Sequence, residues 1–284
     1  MIVPWSAGGG TDRTARQLAQ VGKHHTDTSI YVTNKTGGGG VIGFNAIKNS
    51  SSDGYTVGVI ASTLMVLNQY GRTNISYEDF DPIMQYNADP ASITVRKDAP
   101  YQNLEEFVEH AKNNKVSVGT AGPGDIWHLA AVGFAQKSGV EFEHVTYDGS
   151  APAVTAVVNG EVDVTTTSIP EAAPQVEGGP LEFLATMGEK RHYQFPNVPT
   201  LQEKGYDWNL SAWRALVTPT GVDKSKLTSL NELYTKTYKD DSFKSFMKKN
   251  GFNLAYKDRK ELGDFMKSQH QSIGEVIKKA GGKK

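Results

Sequence analysis

The hydrophobic positions of the first 87 residues follow two different spacings. Short β-branched runs predict strands at 2–4, 30–33 and 55–60, and apolar residues three and four apart predict helices at 11–21 and 41–49. Strands that alternate with helices along a chain usually pair in parallel, so this segment predicts an α/β sheet.

The same alternation restarts near residue 93 and predicts a second sheet. Its strands are expected near residues 93–96, 116–119, 142–146, 162–166 and 182–187, and its helices near 103–113, 126–138, 151–159 and 170–177. From residue 223 onward the spacing is helical only. Because amphipathic helices must bury their apolar stripe, we expect this tail to return and cover the first sheet.

This division predicts two α/β lobes. Lobe 1 comprises residues 1–90 and 217–284, and lobe 2 comprises residues 91–216. The chain then crosses between the lobes twice, which predicts a two-strand hinge. A cleft between hinged lobes is a preferred place for a small ligand.

Composition narrows the class of partner. The 284 residues carry a formal net charge of −1, with 38% hydrophobic and 21% charged residues, which argues against a nucleic-acid surface. No run approaches the roughly 18 apolar residues that span a bilayer. The chain has no cysteine, which excludes disulfides and thiolate chemistry. It starts inside an apparent strand, so we expect a preceding segment, with a secretory signal as one candidate.

Turns rich in Gly, Ser and Pro occur where the predicted strands lead into helices. They span residues 6–12, 36–41, 121–126, 148–152 and 166–170. In a parallel sheet such turns meet at the carboxyl edge, where first-turn N–H groups and the helix dipole favour an anion. The alternative is that these residues serve only as turn formers. Their recurrence in both lobes favours the anion site.

Gly38, Gly40 and Gly43 also match G-x-G-x-x-G, the fingerprint of dinucleotide-binding enzymes. That fold needs an acid at the end of the next strand, where this chain has Ser62 and Thr63. A Walker lysine is also missing after these glycines. A nucleotide-dependent enzyme of doubly wound fold that uses this loop remains the alternative function.

Candidate side chains for catalysis are few. The seven histidines include no H-E-x-x-H pattern, and no G-x-S-x-G elbow occurs. Asp12 suits a helix cap, whereas Asp163 lies within a predicted strand and needs a partner if it is buried. Arg214, near the predicted hinge, can present a planar fork to a carboxylate. Three tryptophans near the predicted cleft are equally consistent with a ligand wall and with a core: Trp5, Trp127 and Trp213.

Seven segments, in this order, resemble the substrate-binding proteins of tripartite tricarboxylate transporters, the TctC or Bug family. They are "IVPWSAGGGTDRTAR", "TNKTGGGGVIGFNAI", "DGYTVGVI", "GTAGPGDIWHLA", "HVTYDGSAPAVTAVVNGEVDV", "FPNVPTLQEKGYD" and "AWRALVTPTGV". The resemblance implies a type II periplasmic-binding-protein fold and a non-enzymatic role, the capture of an organic carboxylate for a membrane permease. It also implies an extracytoplasmic location, periplasmic or lipid-anchored, with a signal segment ahead of this sequence.

The family's binding loops, carried over residue by residue, together with the tryptophan near the second crossing, predict a set of ligand contacts. They are Trp5, Ser6, Gly9, Gly10, Thr11, Asp12, Gly39, Ser62, Thr63, Gly124, Asp125, Trp127, His128, Tyr147, Ser150, Asp163, Thr167 and Trp213. Asp125 stands where the family usually has a small hydroxyl, which disfavours a fully anionic tricarboxylate. An ammonium or hydroxyl group on the solute fits better. The alternative that Asp125 only caps its helix stays open.

We therefore expect a hinged, two-lobe, monomeric receptor. It binds a small organic carboxylate and delivers it to the permease subunits of a tripartite tricarboxylate transporter, with no cofactor, metal or nucleic acid. The effector-binding half of a transcription regulator is a third possibility. Against it, the sequence offers no helix-turn-helix segment and no basic face.

Overall fold

The computed structural model describes residues 1–5, 7–120, 124–147 and 149–279. It divides the chain into two compact units. Unit 1 comprises Met1–Ala88 and Trp213–Lys284, and unit 2 comprises Asp89–Ala212. The chain passes from one unit to the other twice, each time within a long strand.

The strands form two sheets. They are β1 (Ile2–Val3), β2 (Thr33–Asn34), β3 (Gly58–Ala61), β4 (Phe80–Pro90), β5 (Ser92–Arg96), β6 (Val116–Thr120), β7 (Phe142–Thr146), β8 (Val164–Thr165), β9 (Leu181–Thr186), β10 (Ser211–Pro219) and β11 (Leu254–Lys257). The first sheet has the order β11-β4-β10-β3-β1-β2, and the second has the order β7-β6-β8-β5-β9. β1 pairs in parallel with β2 and β3, and β6 pairs in parallel with β7 and β8.

Helices connect the strands and cover the sheets. They are α1 (Gly10–Gly22), α2 (Val41–Lys48), α3 (Ser62–Gln69), α4 (Leu104–Asn113), α5 (Ile126–Ser138), α6 (Ser150–Asn159), α7 (Ile169–Glu177), α8 (Lys224–Lys239), α9 (Asp241–Lys249) and α10 (Arg259–Lys279). α8, α9 and α10 follow the second crossing and belong to unit 1. Each parallel strand therefore leads into a helix that begins at the carboxyl edge of its sheet.

Apolar positions at helical spacing build the core of unit 1. Leu18 and Val21 of α1 pack in one cluster with Val59 of β3, and Phe243 and Met247 of α9 join it four residues apart. Burying such a side chain stabilises the fold by about 1.5–3 kcal/mol. This packing holds α1 and α9 against the sheet.

One apolar cluster of unit 2 joins two helices to an edge strand. Val154 and Val157 of α6 pack with Ile169 of α7 and Phe183 of β9. β9 is an edge strand that pairs antiparallel with β5. The cluster therefore fixes α6 and α7 on this sheet, and with them the positions at which those helices begin.

The predicted strands at 93–96, 116–119, 142–146 and 182–187 and the four helices of this segment are confirmed to within one or two residues. The structure differs elsewhere. Of residues 30–33, only Thr33 is in a strand. Ser62 and Thr63, predicted as a loop, begin α3. The tail, in which the sequence showed no convincing strand, contains β11 at the sheet edge, where short and partly exposed strands lack a clear hydrophobic alternation.

The glycine-rich segment has conformational reasons for its glycines. The four residues 37–40 all have positive φ, with values of 124°, 59°, 68° and 108°. Only glycine adopts this region readily, so the loop between β2 and α2 needs all four. Gly43 serves packing, because a Cβ there would lie 2.5 Å from Cα of Pro4 and 2.8 Å from the carbonyl oxygen of Lys35. The match to G-x-G-x-x-G thus follows from loop geometry and close packing of α2.

Replacing Gly43 with alanine should destabilise unit 1, because the backbones of α2 and β1 must separate to admit the Cβ. Overpacking of this kind costs about 1–3 kcal/mol. Urea unfolding followed by circular dichroism measures the change. Gly263 in α10 is the matched control, since a Cβ there meets nothing within 4 Å, and Gly263→Ala should gain about 0.5–1 kcal/mol. An unchanged midpoint for Gly43→Ala contradicts the close approach.

Candidate binding site

Three helices of unit 1 begin at the carboxyl edge of its parallel strands. β1 leads into α1, β2 into α2 and β3 into α3. Their N-cap residues are Gly9, Gly40 and Ala61, and none of these provides a side-chain hydrogen bond to the first turn. First-turn N–H groups have no acceptor within their own helix. This edge of unit 1 therefore presents three positive dipole ends to an anion. At α2 the amides of Gly40, Val41 and Ile42 already donate to the carbonyl oxygens of Gly37 and Gly38.

The loops of this edge contact one another. A Cβ on Gly40 would lie 3.3 Å from Cε2 of Trp5, and one on Gly39 would lie 3.6 Å from Cδ1 of Leu67 in α3. Trp5 is half-buried and packs edge-on against Phe44, with the ring centroids 5.6 Å apart. The predicted contact residues Trp5 and Gly39 thus belong to one loop cluster.

Asp12 organises the loop between β1 and α1. Its buried Oδ2 accepts hydrogen bonds from the Gly8 amide at 2.8 Å and from Nε of Arg16 at 2.9 Å. Its Oδ1 accepts from Nδ2 of Asn34 at 2.9 Å, and the same nitrogen donates to the Trp5 carbonyl at 2.8 Å. Burial acts to raise the pKa of Asp12, but the hydrogen bonds that it accepts outweigh burial and lower the pKa. The Asp12 carboxylate therefore fixes the conformation of the loop between β1 and α1.

Arg214 of β10 lies beside the first turn of α1. Its Nε donates to Oγ1 of Thr11 at 2.9 Å, and its Nη1 donates to Oδ1 of Asn87. A Cβ on Gly10 would lie 3.0 Å from Nη2 of Arg214 and 3.3 Å from the Phe252 ring. Gly10 is therefore packed against Arg214, and a larger side chain there would displace the guanidinium as well as affect any ligand.

Ser62 and Thr63 open α3 at the same edge. The Ser62 side chain is almost fully buried, and its Oγ has no hydrogen-bond partner among the described residues. A buried hydroxyl without a partner costs roughly 1–3 kcal/mol. A ligand oxygen at this helix start would satisfy it.

Unit 2 repeats this arrangement with β6, β7 and β8, which lead into α5, α6 and α7. Nε1 of Trp127, in α5, donates to Oγ of Ser150, the first residue of α6, at 2.9 Å. Oγ1 of Thr166, just after β8, donates to the Trp127 carbonyl at 2.7 Å. Trp127 is only 4% exposed, so it joins the three helix starts from within the unit. The predicted contacts Trp127 and Ser150 are thus brought together.

Carboxylates occupy two of these helix starts. Oδ2 of Asp125, the N-cap of α5, accepts from the Trp127 amide at 2.8 Å. Glu171 in α7 accepts from the amide of Ser168 at 3.1 Å and from its Oγ at 2.6 Å. Burial raises the pKa of Asp125 to about 7, with the nearby Glu171 carboxylate adding to the rise and the Trp127 amide opposing it. The cap that the sequence left open for Asp125 is therefore present.

Two hydroxyls at the same edge of unit 2 are fully buried. Thr120 is the last residue of β6, and Thr167 lies between β8 and the N-cap of α7. Within the part of the chain that the structure describes, the Oγ1 of each has no hydrogen-bond partner. The position of Thr167 agrees with its predicted place at the carboxyl edge. Thr120 had not been predicted.

The structure does not bring Asp163 to this edge. Asp163 precedes β8, and its Oδ2 accepts from the amide and from Oγ of Ser117, both at 2.7 Å. Because β6 and β8 are parallel, this pair lies at their amino end, opposite Thr120. The side chain is exposed and already hydrogen-bonded, which corrects the expectation that it lines the ligand edge.

The remaining predicted contacts vary in placement. Trp213 is 1% exposed and packs edge-on against Phe265 of α10, so it is a core residue of unit 1.

The His128 ring lies 4.5 Å from that of His144 on β7. Tyr147 follows β7, and its amide donates to the Thr120 carbonyl at 2.8 Å. Gly124 has a φ of 85° directly before Asp125. Ser6 lies outside the described residues.

Sequence reasoning missed three polar residues of these edges. Asn34 joins the Trp5 loop to Asp12, Glu171 lies near Asp125, and Thr120 ends β6. Glu171 had a usable signal, because Ser168 and Glu171 have the spacing of a capping box. Asn34 and Thr120 depend on strand register, which the sequence does not reveal.

Asp125→Asn should stabilise the protein at pH 8 and change little at pH 4. The folded-state pKa of Asp125 is raised to about 7, so the folded protein resists ionisation of this carboxyl more than the unfolded chain does. The protein therefore loses stability as the pH rises from the unfolded-state pKa through about 7. Asparagine keeps the cap and removes the charge. Thermal unfolding at both pH values measures the change.

Asp240 gives the matched control, because it caps α9 through the same contact, with Oδ1 accepting from the Ser242 amide at 2.8 Å. That hydrogen bond lowers the pKa of Asp240, so Asp240→Asn should lower the melting temperature at pH 8. The same direction of change at pH 8 in both variants would contradict the raised pKa of Asp125.

Among the described residues, no helix is both long enough and apolar enough to cross a membrane. Within the same part of the chain, no group of three or more His, Cys, Asp or Glu side chains is arranged to hold a metal ion.

Comparisons with known proteins agree on one family. The model of the "Tripartite tricarboxylate transporter family receptor", TctC, matches residues 14–282. A crystal structure of a TctC solute binding protein from Polaromonas is 36% identical and has a TM-score of 0.84, covering 98% of this chain and 96% of that one. The periplasmic binding protein BugD is 27% identical, with a TM-score of 0.86 over 100% of this chain and 97% of that one.

A third structure, R. palustris Rpa4515 with adipate, is 25% identical and has a TM-score of 0.87, covering 99% of this chain and 96% of that one. The Polaromonas protein and BugD are substrate-binding receptors and not enzymes, and with the two α/β units they establish the type II periplasmic-binding-protein fold. The chain belongs to the TctC family, the receptors of tripartite tricarboxylate transporters.

Proposed function

We propose that this protein is an extracytoplasmic solute-binding protein that captures a small organic carboxylate for a tripartite tricarboxylate-type secondary transporter. The observation that carries the proposal is the set of three helix starts in unit 1, at Gly9, Gly40 and Ala61, that lack side-chain caps. The adipate in the R. palustris neighbour supports a carboxylate as the ligand class.

Backbone donors and helix dipoles suit a carboxylate. An anion near one helix N-terminus gains about 0.3–1 kcal/mol, and up to about 2 kcal/mol in sheltered geometry. Three such ends on one edge, with the buried Ser62 hydroxyl beside them, would hold one carboxylate without a lysine or arginine in direct contact. Arg214 holds the first turn of α1 through the hydrogen bond that its Nε donates to Oγ1 of Thr11.

The proposed site extends to the cleft that the sequence predicts between the lobes, with unit 2 contributing Asp125, Ser150 and Thr167. We propose that the protein acts as a monomer, closes on the solute by hinge motion, and passes it to the permease subunits of the transporter. An extracytoplasmic location and a signal segment ahead of this sequence complete the proposal. Membership of a receptor family that includes periplasmic binding proteins supports them.

The main support for the nucleotide-dependent alternative was the match to G-x-G-x-x-G, and the packing of Gly43 explains that match without a nucleotide. In the dinucleotide fingerprint the glycines let a pyrophosphate approach the helix start. Here Gly43 lies against Pro4 and Lys35. The fingerprint also expects an acid at the end of the following strand, which is β3. Here Ser62 and Thr63 follow β3 and begin α3.

A thermal-shift panel tests the class of ligand. Mono- and dicarboxylates, hydroxy acids and amino acids are compared with NAD and ATP. A ligand at about 100 times its dissociation constant stabilises the folded protein by roughly 2.7 kcal/mol, a rise of a few degrees. We expect at least one carboxylate to give this shift. A shift with NAD or ATP and with no carboxylate would overturn the proposal.

Gly39→Ala should weaken carboxylate binding at least tenfold in calorimetry, about 1.4 kcal/mol. Gly39 has a φ of 68°, and a Cβ there would distort the loop that presents the amides before α2. The matched control is Gly139→Ala, at a φ of 74° in open space at the end of α5. It should cost stability and leave affinity unchanged. Equal affinities of the two variants would mean that the 37–40 loop has no part in binding.

A further inference from the structure

The two units differ in the carboxylates that lie at their helix starts. In unit 1 no N-cap side chain bonds to the first turns of α1, α2 and α3, and the acid in these turns, Asp12 of α1, is paired with Arg16 at 2.9 Å. In unit 2 a carboxylate oxygen lies at two of the three corresponding positions, Asp125 at α5 and Glu171 at α7. Only α6, with Gly149 as its N-cap, resembles the helices of unit 1.

This difference changes which charge each unit accepts. An uncapped helix start attracts an anion, because its donors and dipole are unsatisfied. Where a carboxylate already occupies the start, the donors are engaged and a second anion meets a like charge. In unit 1 Arg16 offsets the charge of Asp12, so unit 1 is better suited to a carboxylate than unit 2.

The buried hydroxyls point independently to a ligand group at unit 2. Thr120 and Thr167 are 0% exposed, and their Oγ1 atoms have no partner among the described residues. Both lie at the strand ends that lead to α5 and α7. A hydroxyl both donates and accepts, so it can serve an ammonium, hydroxyl or amide group equally well. An ionised carboxylate of Asp125 only accepts, and it favours a group that donates.

We propose that Asp125 is a specificity-determining residue that selects solutes with a carboxylate at one end and a hydrogen-bond donor, preferably an ammonium group, at the other. This inference rests on the proposed function. In the proposed cleft the carboxylate meets the helix starts of unit 1, and the donor meets Asp125 with Thr120 and Thr167. A dicarboxylate of the same length places its second charge against Asp125 and is discriminated against.

Calorimetry at pH 8 with matched pairs of probes tests this. Each pair is an ω-amino acid and the dicarboxylate of the same chain length, from four to eight carbons, with 6-aminohexanoate and adipate as the central pair. Burial and Glu171 raise the pKa of Asp125 to about 7, and because pH 8 lies above this value, Asp125 is mostly ionised there. We expect the wild type to bind the ω-amino acid at least tenfold more tightly than its dicarboxylate at the best length.

Asp125→Asn removes the charge and keeps the cap, so the fold is retained. We expect it to weaken ω-amino acid binding at least tenfold and to strengthen dicarboxylate binding by a similar factor. Asp240→Asn, which alters the equivalent cap of α9 in unit 1, should change neither affinity more than twofold.

The outcomes separate this inference from the function on which it depends. Binding of both probe types with the dicarboxylate equal or tighter, or affinities unaltered by Asp125→Asn, overturns the selection by Asp125 and leaves the carboxylate receptor intact. No binding of any probe, together with no carboxylate hit in the thermal-shift panel, overturns both. The reversal of preference in Asp125→Asn alone supports the inference.

Discussion

The hydrogen-bonding deficit at the start of a helix is the constraint on which this molecule depends. Every α-helix leaves its first N–H groups without an internal acceptor. A parallel sheet gathers several such starts at one edge. In unit 1 those of α1, α2 and α3 are left without side-chain caps. In the proposed function a carboxylate supplies what they lack, which would let a protein with a net charge of −1 bind an anion.

Local packing positions the loops and helix starts at that edge. The glycines of residues 37–40 bend the chain through positive φ, and Gly43 lets α2 approach β1 closely. Asp12 brings a negative charge to this edge, and its ion pair with Arg16 offsets that charge. Its oxygens accept hydrogen bonds from Gly8, Arg16 and Asn34, so it fixes the loop. In unit 2 Asp125 caps α5 through the Trp127 amide, and burial raises the pKa of its carboxyl to about 7.

The sequence predicted the fold class and most helices and strands, because apolar periodicity records burial within each element. The sequence could not show whether a side chain lies at the amino end or at the carboxyl end of a strand. Asp163 was placed within β8, but it precedes that strand and bonds to Ser117 at the amino end. Trp213 shows a similar limit, since an aromatic residue near a crossing looks the same in sequence whether it faces a ligand or Phe265. Partners distant in sequence, such as Asn34 with Asp12, appear only after folding.

Amide chemical shifts measured by NMR during titration with 6-aminohexanoate, and separately with adipate, test the central claim most directly. The account predicts that both probes shift the same amides of unit 1, those of residues 9–12, 38–41 and 62–63, because both present a carboxylate to the starts of α1, α2 and α3. The two probes should differ only at unit 2, around Asp125 and Thr167. Binding that leaves the amides at these three helix starts unshifted would contradict the account.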